Sequence, residues 1–240
     1  MKIQLYVISD LHLGGVPNTN GELGFQICPP STHLLLAEFI DRLPRRSTDL
    51  DVRLVIAGDI VDFLAEEPFQ AFTSDPTEAQ TKLDRILNCT TLIWRALRRF
   101  VSERGGAITF LLGNHDIELA LPSLRKCFLD RIGPGRVEFI YDNEAFTFGP
   151  VLIEHGNRFD EWNAVAHGAL RRVRSQLSRA LPAKPEFPAL PGSRLVVDVM
   201  NPLKQQYAFV DLLKSEGAGV LLIVVVLGVG GFRDAWRFFQ

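Results

Sequence analysis

Four short runs of apolar residues in the first two thirds of the chain each end in polar, chemically reactive side chains. The runs cover residues 3–8, 52–57, 107–112 and 151–153. Near-continuous apolar runs of this length are typical of strands that are covered on both faces. The pattern therefore predicts four strands, each followed at once by a polar loop.

Between the first three runs, apolar positions recur at the spacing of a helix. Ser31 is placed to cap a first helix. Its predicted core positions are Leu34, Leu35, Phe39, Ile40 and Leu43. A longer helix is predicted to start near Asp75 and Pro76, with the proline in its first turn, and to end at Gly105 and Gly106.

The alternation of strands and helices predicts an α/β fold with a parallel sheet and right-handed crossovers. In such sheets, ligands bind beyond the carboxyl ends of the strands. Because each polar cluster follows the end of a strand, we expect the clusters to converge on one edge. This inference places a functional site there before any chemistry is considered.

The later part of the chain is predicted to be less regular. Residues 137–141, 145–148 and 151–153 indicate a small antiparallel meander, and residues 163–180 an arginine-rich helix that contains Arg171, Arg172, Arg174 and Arg179. These arginines are expected on a solvated face, or in contact with phosphate or anionic headgroups. The proline-rich residues 181–193 indicate a linker or an extended arm. We divide the chain into a core at 1–160, a cap or insertion at 161–194, and an apolar segment at 195–240.

Composition narrows the class of protein. Hydrophobic residues make up 47% of the 240 and charged residues 22%, which is ordinary for a globular enzyme. The formal net charge of −2 gives no reason to predict a specific nucleic-acid partner. The three cysteines form no closely spaced pair, and the N-terminus has too short an apolar run for a signal peptide. We therefore predict a cytoplasmic protein.

The apolar run at residues 217–232 leaves several interpretations open. It is dotted with glycines and shorter than the ~20 residues that a bilayer-spanning helix needs. A buried strand or core helix is one interpretation, and an element at a membrane surface is another. The second would place the protein peripherally at the inner membrane.

The residues that follow the strands form a plausible ligand set for metal ions. Asp10 and His12 follow the first strand, Asp59 follows the second, Asn114 the third, and His155 the fourth. Carboxylate, amide and imidazole donors together suit divalent Mn, Fe or Zn. The sequence therefore predicts a site for two divalent metal ions.

The same blocks resemble the calcineurin-like metallophosphoesterases. Asp10-Leu11-His12, Gly58-Asp59-Ile60-Val61-Asp62, Gly113-Asn114-His115-Asp116 and the later His155-Gly156 are similar, in this order, to the D-x-H, G-D-x-x-D, G-N-H-[DE] and single-histidine blocks of that family. The resemblance covers roughly residues 1–160. It implies an αββα sandwich, here incomplete at the C-terminus.

The resemblance also implies a role for each residue. Asp10 and His12 would hold the first metal, Asp59 would bridge both, and Asn114 and His155 would hold the second. His115 would be catalytic, touching the phosphoryl oxygen or protonating the leaving group. Asp116 would orient His115, and Asp62 would support the ligands from behind. The implied reaction is hydrolysis of a phosphoester or pyrophosphate bond by a metal-bridged hydroxide.

The substrate implied is a phosphorylated small molecule or ester. The segment 157–163 directly follows His155 and mixes amides, an arginine and a tryptophan. From it we single out Asn157 and Arg158 as substrate-binding candidates. A loop that merely folds over the edge of the sheet is the alternative interpretation.

One block of the family pattern is missing. The five histidines, His12, His33, His115, His155 and His167, include no Gly-His-x-His pair. We expect either that this block lies beyond Gln240, or that it has degenerated to the glycine-rich residues 227–231. Loss of ligands would leave a non-catalytic scaffold or binding module, which is the rival to the enzyme. His33 is expected on an ordinary amphipathic helix, and His167 is a lesser candidate for a replacement ligand.

Overall fold

A computed structural model gives the fold, and it describes residues 1–15, 26–142, 145–184 and 186–206. Its centre is a parallel sheet of four strands in the order β1-β2-β3-β4. The strands are β1 (Lys2–Ile8), β2 (Leu50–Ala57), β3 (Ala107–Leu111) and β4 (Arg136–Ile140). The predicted α/β class with a parallel sheet is confirmed.

Helices connect successive strands. They are α1 (Pro30–Arg42), α2 (Pro76–Cys89), α3 (Thr91–Ser102) and α4 (Pro122–Ile132). Right-handed crossovers between strands that follow chain order place all connecting helices on one face of the sheet. Ile56 of β2 accordingly belongs to the same buried cluster as Trp94 of α3 and Phe128 of α4.

A two-stranded antiparallel hairpin, β5 (Ala145–Phe148) and β6 (Val151–Glu154), packs against the sheet through a second apolar cluster. That cluster contains Val55, Ala57, Leu111, Phe146 and Ile153. Side chains alternate between the faces of a strand, so Val55 and Ile56 point to opposite sides of β2. The hairpin therefore lies on the face opposite the helices.

The predicted three-stranded meander is wrong in one strand. β4 pairs in parallel with β3, from Ala107 opposite Arg136 to Leu111 opposite Ile140. The helix α4 precedes β4, and its Phe128 and Ile132 are buried in the main core. This crossover helix brings the strand back to the sheet edge in parallel, which leaves only β5 and β6 for the hairpin.

The predicted long helix from Asp75 to Gly105 is two helices. Asp75 caps α2 as predicted, with Oδ1 accepting from the N–H groups of Thr77 and Glu78 at 2.9 and 2.8 Å. The break falls at Thr90, which is buried and accepts a hydrogen bond from the indole Nε1 of Trp94 at 2.7 Å. The hydrophobic periodicity is not interrupted at Thr90, so it did not indicate the break between the two helices. The hydroxyl of Thr90 is a hydrogen-bond acceptor inside the core.

The first helix is rotated from its predicted position. It starts at Pro30 after Pro29, so Ser31 is inside the helix and caps nothing. The prediction placed Leu34, Leu35 and Phe39 in the core, but all three are exposed. The buried stripe consists instead of His33, Ala37 and Ile40, at the spacing of i, i+4 and i+7.

Part of the described segment after His155 packs onto this core. The arginine-rich helix α5 (His167–Leu177) is shorter than predicted, and after an extended stretch come α6 (Pro191–Leu195), a π-turn (Val196–Met200) and α7 (Asn201–Gln206). Phe187 and Leu190 of the predicted arm are buried in the main cluster. Predictions for residues 207–240, including the apolar run and residues 227–231, lie outside the described residues. Over the described ranges, no helix combines the length and apolar character needed to cross a bilayer.

The amino-terminal edge of the sheet is held by a buried ion-pair cluster. The carboxylate of Asp51 on β2 is 1% exposed and accepts from Arg136 Nη1 and Nη2 at 2.6 and 3.0 Å and from Arg53 Nε at 2.9 Å. These bonds reach across β3 from β2 to β4. The hydrogen bond from Arg136 is the main reason that the pKa of Asp51 falls to about 2.

We predict that Asp51→Asn lowers the free energy of unfolding by about 2 kcal/mol at pH 7. The folded-state pKa lies below the unfolded value, so the stabilisation is present above pH 4 and is lost as the pH falls towards 2. The deficit of the variant should shrink to about half by pH 3. Urea unfolding at several pH values measures this, with the exposed Asp49→Asn as the control. A deficit that does not change with pH contradicts the ion-pair explanation.

Candidate metal centre

The five predicted metal ligands meet at the carboxyl edge of the sheet. Asp59 Oδ2 lies 3.7 Å from His12 Nε2 and 3.3 Å from His155 Nε2. Asn114 Oδ1 lies 3.3 Å from the same His155 nitrogen. Asp10, Asp59 and His155 each offer a ligand atom within 4.8 Å of the other two. His155 reaches this edge from the end of β6, because the hairpin packs against β2 and β3.

Three of these ligands have strained backbone. Asp10, His12 and Asp59 have φ angles of 54°, 42° and 50°, in the left-handed region. Such a conformation costs a non-glycine residue on the order of 1–3 kcal/mol and is concentrated at functional sites. Hydrogen bonds between the two loops hold it, from Asp10 N to Gly58 O at 3.2 Å and from His12 N to Asp59 O at 2.9 Å. The fold thus tolerates local strain where the candidate ligands stand.

Two glycines of the motifs allow the ligands to approach one another. A Cβ atom on Gly58 would lie 2.5 Å from Cγ of His155, and the φ of Gly58 is +85°. A Cβ on Gly113 would lie 2.1 Å from Oδ1 of Asp59. Both positions therefore require glycine for the site to close.

The tautomer of His155 is determined by its neighbours. Its Nδ1 lies 2.8 Å from the carbonyl oxygen of Ala57, which only accepts, so Nδ1 carries a proton. Nε2 faces Asp59 Oδ2 and Asn114 Oδ1. The amide of Asn114 is oriented by donation from Nδ2 to Asn163 Oδ1 at 3.4 Å. If Nε2 is not protonated, the lone pairs of His155, Asp59 and Asn114 point at one another and repel. A proton on Nε2, or a cation between the three groups, removes this repulsion.

Electrostatics at this point favour positive charge. Burial lowers the pKa of His155, but the hydrogen bond and charge of Asp59 more than offset it and raise the pKa to about 9. Burial likewise raises the pKa of Asp59, yet the hydrogen bond from His155 and the charges of nearby histidines lower it overall. A cation can take the position of the proton on Nε2 of His155. The carboxylate, amide and imidazole groups around that position are ligands that suit Mn, Fe or Zn.

Asp62 lies behind the ligands and contacts two histidines. It is buried, with Oδ2 3.1 Å from His12 Nδ1 and Oδ1 3.2 Å from His115 Nδ1. The two imidazole rings meet edge to face at 4.6 Å. Because Asp62 occupies Nδ1 of His12, the ring turns Nε2 towards Asp59. An outer carboxylate that fixes the inner nitrogen of a histidine is the usual arrangement at metal sites.

His115 carries positive charge near neutral pH. Burial lowers the pKa of its ring, but the charge and hydrogen bond of Asp62 outweigh this and raise the pKa to about 9. Its backbone N–H donates to Asp59 Oδ1 at 2.8 Å, which ties the ring to the centre of the site. A protonated imidazole in this position can donate a proton or neutralise an anion.

The resemblance implied that Asp116 orients His115. In the structure, Asp116 instead contacts backbone N–H groups. Its Oδ2 accepts from Ile60 N and its Oδ1 from Gly113 N, both at 2.7 Å. It is fully buried, and burial, together with the charge of Asp59, raises its pKa to about 7. Asp62 holds His115, and Asp116 fastens the loop after β2 to the loop after β3. Asp62 and Asp116 both follow strand ends that converge at this edge of the sheet. The sequence alone therefore does not decide which of them contacts His115.

The substrate-binding candidates lie in the loop 157–163, whose Asn163 contacts Asn114. Asn157 donates from Nδ2 to the carbonyl oxygen of Asn163 at 3.0 Å. Arg158 pairs with Glu154 at 2.7 Å, and its guanidinium lies 4.7 Å from the ring centre of Phe159. Phe159 and Trp162 are 76% and 54% exposed. Asn163 is the residue that sequence reasoning missed as a partner of Asn114, because the contact spans 49 positions.

The other candidates from the sequence lie apart from these contacts. His33 is buried, with Nε2 3.0 Å from the carbonyl oxygen of Cys28. Arg171 and Arg174 both contact Asp142 at 2.8 Å, so part of the arginine-rich face is neutralised by an acidic neighbour.

Comparison of the chain with known protein families, curated proteins and solved structures found no match.

We predict that Asp116→Ala destabilises the protein by about 2–4 kcal/mol, because two buried N–H groups lose their acceptor. Urea unfolding of wild type and variant measures the loss. Asp130→Ala is the matched control, since its carboxylate is exposed and pairs with Lys126 at the surface. If the two variants are equally stable, Asp116 does not fasten the two loops.

Proposed function

We propose that the protein is a metal-dependent hydrolase of phosphoester or pyrophosphate bonds, of the calcineurin-like metallophosphoesterase type. The observation that carries the proposal is the meeting of carboxylate, amide and imidazole donors around Asp59. These donors come from loops far apart in the chain. Electron-rich groups directed at one another in a buried site need a compensating positive charge.

We assign the ligands as follows. Asp10, His12 and Asp59 would hold one divalent cation, and Asp59, Asn114 and His155 the second, with Mn, Fe or Zn as candidates. Two such cations supply Lewis acidity to the phosphoryl group and lower the pKa of a bound water. The part of this chain is to fix the donors and to keep Nε2 of each histidine directed inwards.

His115 is the proton donor in this proposal. The charge and hydrogen bond of Asp62 raise the pKa of its ring, and Asp62 on Nδ1 leaves Nε2 as the donor atom. That proton can pass to the oxygen that leaves phosphorus, or it can stabilise the charge that develops on the phosphoryl oxygens. Asp62 positions His115 and His12 together.

We propose an αββα sandwich as the architecture. In support, the parallel sheet has helices on one face and the β5–β6 hairpin on the other. Leu5 of β1 packs against the hairpin cluster, while Ile3 and Val7 on the same face of β1 are 40% and 48% exposed. The hairpin therefore covers β1 only in part.

The substrate we propose is a phosphorylated small molecule or ester. Asn157 and Arg158 follow His155 directly, and the exposed rings of Phe159 and Trp162 lie in the same loop. Exposed aromatic rings beside a phosphate site favour a substrate with a flat or apolar group attached to the phosphate.

Metal analysis and hydrolysis assays of the full chain test the proposal. We expect nearly two equivalents of Mn or Fe per chain and hydrolysis of a generic aryl phosphate. Asp59→Asn should lose both, because it removes the shared carboxylate. His115→Ala should keep the metal and lose activity by roughly 100-fold, the lower end of what a general acid contributes.

Asp130→Asn serves as the control, since its carboxylate lies on the exposed surface of α4. Wild-type turnover by Asp59→Asn or by His115→Ala would overturn the mechanism. No tight metal and no turnover in the wild type would favour the scaffold over the enzyme.

A further inference from the structure

A cleft of about 450 Å³ opens at the edge of the sheet opposite the metal centre. It lies between the loop that leads into β2 and the segment that joins α3 to β3. Its lining residues are Arg45, Arg46, Ser47, Thr48, Ser102, Glu103, Arg104 and Gly105. The volume is within the range of about 300–1,000 Å³ that is usual for small-molecule sites.

Two arginines of the cleft have spare hydrogen-bonding capacity. Arg45 donates from Nη1 to the carbonyl oxygen of Glu103 at 3.0 Å, and Arg104 donates from Nη2 to that of Leu43. The Nε of Arg104 is buried and has no hydrogen-bond partner in the described part of the chain. Within the same part, neither guanidinium has a carboxylate within 4.0 Å. Each of these two guanidiniums therefore keeps a positive charge that no carboxylate of the described residues pairs with.

The third arginine is only weakly neutralised. Nε of Arg46 lies 3.6 Å from Asp51, whose oxygens already accept shorter bonds from Arg136 and Arg53. Glu103 is the single carboxylate among the lining residues, so three arginines against one acid leave a formal charge of +2. The chain as a whole has a formal charge of −2, so the positive charge here is local.

The two walls of the cleft are held together by hydrogen bonds. Arg46 N donates to Arg104 O at 2.9 Å, and the side chain of Arg45 adds a second connection through its bond to Glu103 O. Within the loop into β2, Ser47 N donates to Leu50 O at 2.9 Å. The arginines are therefore positioned before any ligand binds, which reduces the entropy lost on binding.

We propose that this cleft binds a small phosphate-bearing anion, at a site separate from the metal centre. Guanidinium groups match phosphate oxygens in geometry and charge, and the hydroxyls of Ser47 and Thr48 add neutral donors. The volume accommodates a di- or triphosphate group. This site does not depend on the hydrolase function.

Calorimetric titration of the full chain with inorganic pyrophosphate, in the presence of EDTA, tests the site. EDTA removes divalent cations, so binding through the metal centre is suppressed. We expect saturable binding by the wild type and affinity weakened by roughly tenfold in Arg45→Gln, which loses one charge-assisted contact. Thr48→Glu puts a carboxylate into the cleft from an exposed loop position and should weaken binding at least as much.

Arg95→Gln is the charge-matched control, because Arg95 is exposed on α3 and does not line the cleft. It should bind pyrophosphate as the wild type does. The proposal is overturned if the wild type shows no saturable binding, or if Arg45→Gln and Thr48→Glu bind as tightly as Arg95→Gln.

Discussion

The carboxylate of Asp59 is the contact on which the candidate site depends. One oxygen accepts the backbone N–H of His115, and the other faces the imidazoles of His12 and His155. It is almost completely buried, so its charge is stable only because these donors surround it. Removing the carboxylate would leave His115 without its backbone anchor and both other histidines without a counter-ion.

The buried carboxylate of Asp59 needs a compensating positive charge, and this need explains the unusual backbone and side-chain arrangement around it. The left-handed backbone of Asp10, His12 and Asp59 is strain that an ordinary turn would relax. Gly58 and Gly113 leave space that a methyl group would fill. Asp62 and Asp116 are buried carboxylates that fix rings and loops without facing the cluster centre directly. The fold thus places strained backbone and buried carboxylates together at the carboxyl edge of the sheet. An ordinary loop would need neither.

Topology was the part of the site that the sequence could predict. Apolar runs gave β1, β2 and β3, and the parallel arrangement then required their polar ends to meet. The sequence did not show that β4 joins the parallel sheet, because a short amphipathic strand has the same pattern in a parallel or an antiparallel sheet. It also placed Leu34 and Leu35 in the core, because a helix rotated by about one residue has nearly the same hydrophobic period.

Side-chain partnerships were harder to predict than positions. Asp116 is the sequence neighbour of His115, whereas Asp62 lies 53 positions away after another strand, and the structure shows that it is Asp62 that contacts the ring. Which carboxylate contacts the ring depends on the conformation of the loops. Backbone φ angles in the left-handed region set that conformation. Asn163 contacts Asn114 over a long sequence separation, so no local pattern could indicate it.

The two edges of the sheet make opposite use of charge. At the carboxyl edge, acidic groups are gathered and call for cations, whereas at the amino edge arginines exceed their acids. Arg46 belongs to both the cleft and the Asp51 cluster, so an anion in the cleft would compete with Asp51 for it. Arg136 and Arg53 bind Asp51 at shorter distances, so the sheet retains its ion pairs when Arg46 turns away. Binding at the cleft is therefore compatible with the stability of the strands that carry the candidate metal centre.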